Sequence, residues 1–335
     1  MTLILITGVI FMGLVRVIEG GALTTVQDLG RFGYQGSGIP VSGPMDRSAL
    51  YLANAALGSP EGSPGLECTL SGPVLQLDSD ELLCITGGEL GVTLDGYPCP
   101  MWRPVPVRKN SVLSFSGPKK GLRSYICFKG GIRCPAVLGS SSTLLVASLG
   151  GIEGRELRAG DVFLTGGQSG SLPREADREI PAHLRTSVIE GCTEVRVLPG
   201  PQDNIFGPGA RETFLASEYT VTSRADRMGY LLSGPPVPAE GLQAGYSRGI
   251  PLGGIQIDGQ GLPIVALSDR QTVGGYPQIA VVISADMDLF AQLKPGDRIR
   301  FNAVTLDAAQ EMWRQKILAM RQFKEKALHF WKASF

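Results

Sequence analysis

The sequence predicts a mainly β protein of barrel or sandwich units with few helices, and three observations carry that reading. Short apolar runs recur along the chain, at Val74–Leu77, Leu82–Thr86, Val92–Leu94, Val112–Phe115, Ser124–Phe128 and Val162–Leu164, separated by turns of Gly, Pro, Asp and Asn. Glycine makes up 45 of 335 residues, about twice its usual ~7% share. It follows no repeat, which suits many tight turns and excludes a collagen-like chain. A Gly-Asp phrase followed by alternating apolar residues occurs twice, at Arg158-Ala-Gly-Asp161-Val-Phe-Leu and Lys294-Pro-Gly-Asp297-Arg-Ile-Arg-Phe301. Each reads as a turn that launches a strand, so two related barrel-like units are expected.

The expected organisation follows the chain. Leu3–Val15 is mostly apolar but too short to span a bilayer. No basic stretch precedes it and no clear cleavage site follows. Residues 1–11 are read as an extension, with Met12 an alternative start and Leu14–Ile18 the first strand. A β-rich subdomain is expected over 12–190, ending in a linker where Gly166–Arg185 loses its apolar periodicity. A second subdomain covers 191–304 and a helix 305–335. The only other helix expected is Met45–Leu57, with Ala49, Leu52, Ala53 and Ala56 on one face and Gly58 as its stop. In the tail, Trp313, Ile317, Met320, Phe323, Ala327 and Trp331 recur at helical spacing after Thr305 as N-cap. A helix packing on its own barrel or on a partner subunit is favoured over one lying on a membrane.

Composition narrows the function. Lys plus Arg and Asp plus Glu balance at 31 each, which argues against nucleic acid as the main partner. The six cysteines include no C-x-x-C and sit mostly in strand-like runs, as expected for reduced core thiols of a cytoplasmic protein. The only two histidines, His183 and His329, lie in the linker and the tail. No His-bearing metal site or Ser-His-Asp relay is therefore expected in the strand-rich body. Gly245-Tyr-Ser247-Arg-Gly249 matches G-x-S-x-G, but a strand rather than a helix follows it, so it is read as coincidence. No Walker A loop, no well-placed G-x-G-x-x-G and no biotin-carrier Met-Lys-Met occur. ATP- or biotin-driven chemistry would then need another polypeptide or an unfamiliar site.

The candidate site rests on polar clusters between strands. Ser268-Asp269-Arg270-Gln271-Thr272-Val273-Gly274-Gly275-Tyr276-Pro277 interrupts two apolar runs with four dissimilar polar side chains beside paired glycines. A surface turn needs no such set, so the segment is read as a ligand-facing rim over a self-satisfied corner. Gln27, Asp28 and Arg31 form a second cluster after the first strand. Gly139-Ser140-Ser141-Ser142-Thr143 is a hydroxyl-rich loop whose amides suit either an anion or a capped turn. Arg227, in Asp226-Arg227-Met228-Gly229-Tyr230, has the fork to grip a carboxylate or phosphate, or to pair with Asp226.

Together, TTVQDLGRFGYQGSGIPVSGPMD (24–46), LECTLSGPVLQL (66–77), FKGGI and LGSSST (128–143), GRELRAGD (154–161), LPGPQ (198–202), DRMGYLLSGP (226–235) and the run from Gly253 to Phe301 resemble one family. It is known as the C-type subunit of 5-oxoprolinase, as allophanate hydrolase subunit 2, or as the biotin-dependent carboxyltransferase-related family. The resemblance runs from about Met12 to Ala309. Where the family loop reads GSRST this chain has Ser141, which removes a rigid cationic fork, and an ITGA-type turn reads Ile85-Thr-Gly-Gly88.

The resemblance implies a cyclophilin-like β-barrel architecture. It implies a subunit of an ATP-dependent 5-oxoprolinase converting 5-oxo-L-proline to L-glutamate, beside a related barrel subunit of the B type and a third subunit of the A type. ATP with Mg²⁺ is the expected cofactor, on this chain or a partner, with no covalent biotin and no metal site of its own. Phosphorylating the lactam oxygen asks for cations and amides around developing negative charge more than for a histidine base. Arg270, Asp269, Arg227 and Asp28 are the expected catalytic residues. Gln27, Arg31, Gln271, Gly274, Gly275, Tyr276, Ser140 and Ser141 are expected to contact substrate. Two rivals remain: a carboxyltransferase component of a urea carboxylase-like system, and a non-enzymatic partner that sequesters a related barrel protein.

Overall fold

Arg158–Asp161 and Lys294–Asp297 fold into the same turn. In each the third residue is a left-handed glycine, Gly160 at φ 92° and Gly296 at φ 94°. Each Asp carboxylate accepts the backbone N–H of the turn's first residue, Arg158 at 2.8 Å and Lys294 at 3.0 Å. A Cβ is strained at that φ, which is why glycine precedes the aspartate both times. The turns launch the strands Val162–Thr165 and Arg298–Ala303.

The computed structural model describes residues 12–166, 179–186, 191–238 and 246–333. The expected extension at 1–11 and the linker stretch 167–178 lie outside the described residues, as does Gly245 of the G-x-S-x-G match. The end of the expected linker is anchored: Ile180 is buried, and its N–H donates to the Trp102 carbonyl at 2.8 Å.

In the first half, two sheets enclose one core. One runs in the order Ile132–Arg133, Val162–Thr165, Gly13–Glu19, Val74–Leu77, Val112–Phe115, Val92–Leu94, Tyr97–Pro98. The other runs Leu23–Gln27, Gly65–Thr69, Lys120–Phe128, Glu81–Glu89, Pro104–Val107. The two-residue side-chain period turns Val15, Val17, Leu66, Leu75, Leu77, Leu83, Ile85 and Ile126 into the space between them.

The second half is a closed barrel ordered Cys192–Pro199, Gln278–Val282, Gly254–Ile257, Pro263–Ala266, Gly229–Ser233, Glu218–Ala225, Arg298–Ala303. It closes where its first and last strands run parallel, with Val195 opposite Phe301. Val195, Tyr219, Tyr230, Leu232, Ile255, Val265 and Phe301 fill it, and Phe214 stacks on Phe301 with ring centroids 4.6 Å apart.

Four α-helices occur among the described residues: α1 (Arg47–Ala56), α2 (Pro208–Ala216), α3 (Met287–Gln292) and α4 (Leu306–Ala333). Only α1 and α4 were expected, because α2 and α3 are too short for periodicity to reveal. Asp46 caps α1 by accepting the Ala49 N–H at 2.8 Å, and Gly58 at φ 64° ends it. Although α4 follows the barrel in sequence, its far end packs on the first half. Met320, Phe323 and Trp331 meet Ala49, Ala53 and Ala56 of α1, and Trp331 Nε1 donates to the Ala56 carbonyl at 3.3 Å. Earlier along α4, Lys316 reaches Asp288 on α3 at 2.6 Å, while Trp313 stays 39% exposed. The helix thus straps the two halves together. No described helix is long and apolar enough to cross a membrane. All six cysteines are free, and burial raises the thiols of Cys84 and Cys127, which face each other across neighbouring strands.

Candidate functional site

The two halves meet on a buried ionic joint. Arg227 leaves the turn before strand Gly229–Ser233, and Asp269 the turn after strand Pro263–Ala266. These strands are neighbours, and the Asp269 N–H donates to the Arg227 carbonyl at 2.8 Å. Arg227 grips Asp269 through Nε at 2.8 Å and Nη2 at 3.1 Å. Its other donors cross to the first half, Nη2 to the Gly43 carbonyl at 2.6 Å and Nη1 to Glu67. Ser42 donates to Asp269 as well. Glu67 also accepts the Met45 N–H at 2.7 Å and the Tyr125 hydroxyl at 2.8 Å. Arg123 lies 3.9 Å from Glu67 and donates to the Tyr230 hydroxyl at 2.8 Å.

Two buried arginines therefore face two buried carboxylates. Burial alone would raise the Glu67 carboxyl, yet Arg227 and Arg123, with the Met45 N–H, hold it below its ordinary value. Burial would likewise lower Arg227, but Asp269 and Glu67 push it up. Both partners stay charged, and geometry this close is what makes a buried pair tolerable.

Arg270 is the opposite case. It is 7% exposed, and no carboxylate lies within ion-pair distance among the described residues. Nε donates to the Ile250 carbonyl at 2.9 Å, and Nη1 makes one long bond to the Leu267 carbonyl at 3.4 Å. Burial lowers its pKa and no neighbouring charge offsets that. A buried cation without a counter-ion costs several kcal/mol. Arg270 is therefore poised for an anion supplied from outside.

Arg270 lines a cleft of about 210 Å³ between the halves, walled also by Phe32, Gln35, Ser42, Arg47 and Ser268. Arg47 is a second cation with no carboxylate within ion-pair distance among the described residues, although the charge of Asp288 acts on it. Its Nη2 donates to the Leu29 carbonyl at 2.9 Å, and its fork lies 5.6 Å from the Phe32 ring centre. Arg270 also lines a separate cavity of about 550 Å³ on the outer face of the barrel, together with Gln271 and Tyr276.

The other expected site residues hold one another instead. Asp28 accepts from the Gly30 N–H at 2.9 Å, Ser140 Oγ at 2.5 Å, the Ser141 N–H at 2.6 Å and Ser142 Oγ at 2.6 Å. The amides and hydroxyls of the Ser140–Ser142 loop thus do face an anion, and it is the chain's own Asp28. Arg31 is fully buried and donates to the carbonyls of Val137 at 2.9 Å and Ser142 at 2.9 Å, leaving Nη1 without a partner. Gln27 Nε2 donates to Thr25 Oγ1 at 3.0 Å and the Thr143 carbonyl at 3.1 Å, and its Oε1 lacks a partner. This geometry gives Asp28, Ser140 and Ser141 a loop-holding place rather than a ligand-facing one, because their polar atoms are already matched. Arg227 and Asp269 are likewise matched within the joint.

Around Arg270 the strand Val273–Gly274 pairs with Arg248–Gly249. Gly274 lies so close that a Cβ there would sit 2.7 Å from Ile250 Cδ1, and Gly275 beside it is half-buried. Ser247 is exposed beside this two-stranded ladder, with no described histidine partner. Glu67, Arg123, Ser42 and Arg47 escaped the sequence reading. Glu67 had a signal, a lone charge in the apolar strand Leu66-Glu67-Cys68.

The comparisons agree with this architecture. The family model described as carboxyltransferase domain, subdomain A and B, matches residues 37–303. The chain is 34% identical over 311 residues to the C-type 5-oxoprolinase subunit of Haemophilus influenzae, covering 93% of this chain and 98% of that protein. It is 35% identical over 297 residues to the C-type 5-oxoprolinase subunit of Escherichia coli, covering 88% and 93%. The crystal structure of K. lactis urea amidolyase overlays with a TM-score of 0.86 at 31% identity, over 92% of this chain but only 20% of that one. From its fold and these matches, the chain belongs to the family of carboxyltransferase domains with subdomains A and B.

Proposed function

We propose that this chain is one subunit of a cytoplasmic, ATP-dependent 5-oxoprolinase, and that its part is to hold the substrate's carboxylate in the cleft between the halves. The single observation that carries the reading is Arg270, a buried cation with no carboxylate within ion-pair distance among the described residues, lining that space. Arg47, from the other half, adds a second positive charge to its lining. At about 210 Å³ the cleft falls below the ~300–1,000 Å³ of drug-sized sites, which suits one small acid such as 5-oxo-L-proline. Two relatives named as the C-type subunit of 5-oxoprolinase, aligned along nearly their whole length, support that choice.

Mg²⁺ and ATP do not fit this cleft. It is too small for a nucleotide, and among the described residues no carboxylate lines it for a metal. Asp269 is committed to Arg227 and Ser42, and Asp288 to Ser48, the Arg47 N–H and Lys316. Activation of the lactam oxygen is therefore assigned to a partner subunit, and this chain supplies orientation. A substrate clamped by its carboxylate presents the lactam in a fixed direction, and fixed direction is worth a large share of any barrier.

The test is reconstitution with partner subunits, reading ATP-coupled glutamate release. Arg270→Ala removes a charge-assisted contact worth ~1.5–3 kcal/mol, so kcat/KM is expected to fall on the order of 10–100-fold through KM. A wild-type KM in that variant removes the cleft from the reaction. The overlay on urea amidolyase favours one second reading, a carboxyltransferase component. Avidin-sensitive turnover with a biotinylated partner would select it.

A further inference from the structure

We propose that the cavity on the outer face of the barrel is a second ligand site, for an amphipathic monocarboxylate whose acid end pairs with Arg270 and whose apolar body lies on Leu231 and Ile264. It competes with the cleft, because both spaces present one guanidinium. Only the competition rests on the reading of the cleft as an acid site.

The floor of the cavity is unusual for a barrel exterior. Along the strands Gly229–Ser233, Pro263–Ala266 and Gly254–Ile257, Tyr230, Leu232, Val265 and Ile255 point inward. Their neighbours Leu231, Ile264 and Gln256 pair side by side on the outer face. An outward face of antiparallel strands is ordinarily polar, yet two of these three are aliphatic and half-buried. Beside it Arg248–Gly249 pairs with Val273–Gly274, and the segments that continue these two strands supply Ile250, Gln271 and Tyr276 to the wall, with Gln256 Nε2 donating to the Tyr276 carbonyl at 3.1 Å. The volume of this open depression, about 550 Å³, lies within the ~300–1,000 Å³ of small-molecule sites.

Charge supplies the orientation. Arg270 forms the buried end, and Arg224 on the rim is exposed with no ion pair among the described residues. Each wall carboxylate has one oxygen held within its own turn. Asp226 accepts the N–H groups of Met228 at 2.7 Å and Gly229 at 3.2 Å, and Asp258 those of Gln260 at 2.9 Å and Leu262 at 2.8 Å. Two carboxylates nearby disfavour a dianion such as phosphate, whereas two unpaired arginines favour one negative charge. Arg270 has Nε and part of Nη1 committed to carbonyls, so a single edge remains. An acid bound from one side takes the donors that an acid on the other side needs.

The experiment is calorimetric titration of the full chain with hexanoate as the amphipathic probe and 5-oxo-L-proline as the small acid. Hexanoate is expected to saturate one site and to raise the apparent Kd of 5-oxo-L-proline in proportion to its concentration. Leu231→Glu and the solvent-exposed Arg224→Glu are expected to weaken hexanoate by ~10-fold or more while 5-oxo-L-proline stays within ~2-fold. Arg270→Met is expected to lose both. Absence of saturable hexanoate binding, unchanged hexanoate affinity in both glutamate variants, or independent binding of the two acids overturns the proposal. If hexanoate binds and 5-oxo-L-proline does not, the reading of the cleft fails and the second site stands.

Discussion

Arg227 holds Asp269 by two nitrogens, Nε at 2.8 Å and Nη2 at 3.1 Å, and the residue next to Asp269 in the chain has no carboxylate within ion-pair distance among the described residues. One turn thus carries both a closed ion pair and an open cation. The pair makes the joint between the halves, and the cation faces the cleft that the joint creates. Asp269→Asn leaves the buried Arg227 with Glu67 as its one remaining carboxylate among the described residues, and since breaking a buried pair outright costs ~3–5 kcal/mol, a loss of up to about that size follows. Urea unfolding of the variant is expected to show that loss. Any fall in turnover should then scale with the folded fraction.

Arg270→Met is expected to behave in the opposite sense. Removing an unpaired buried cation relieves a desolvation cost and keeps an unbranched side chain of similar reach. Stability should stay within ~1 kcal/mol of wild type or rise, while 5-oxo-L-proline binding is lost. Denaturation midpoints and ligand titrations on the same preparation check both halves of the expectation. A variant that unfolds readily would show Arg270 to be part of the joint.

Asp28→Ala tests the loop. Its carboxylate receives four donors from Gly30, Ser140, Ser141 and Ser142, and each buried donor left without a partner costs ~1–3 kcal/mol. The expected result is a loss of at least ~3 kcal/mol and faster amide exchange at Ser140–Thr143. The KM of the folded fraction should be unaltered.

These contrasts explain what could be read from the chain. The twin Gly-Asp turns, the strands they launch, and the helices α1 and α4 were legible because each is decided within a few residues, by a positive φ, a cap or a 3.6-residue period. Asp269 and Arg270 read alike in sequence, as adjacent charges beside turn glycines. What separates them is non-local: Arg227 lies 42 residues from Asp269, and Glu67 lies 160 residues from Arg227. The hydroxyl loop reads equally well as an anion site or a capped turn, since the anion it holds comes from Asp28, 112 residues before Ser140. Helices α2 and α3 exist because the barrel wall needs covering, a demand no local pattern records.

The last expectation concerns pH. Burial, followed by the nearby charge of Asp288, raises the Asp46 carboxyl from 3.8 to about 7, although the Ala49 N–H, Lys316 and Gln292 pull it down. Arg47 on α1 also faces this group of charges, through its N–H on Asp288. A carboxyl raised on folding binds its proton more tightly in the native state. Between pH 3.8 and about 7 the unfolded chain therefore carries fewer protons, and stability falls as pH rises. The contribution is fully present below the lower value and gone above the upper one. Asp46→Asn keeps an N-cap that can accept the Ala49 N–H but cannot ionise. The difference in unfolding free energy between wild type and variant is expected to slope across that window, by an amount on the order of 4 kcal/mol, and to be flat above it. Urea denaturation at half-unit steps from pH 4 to 8 measures the slope. Parallel curves would show that Asp46 does not change its protonation on folding.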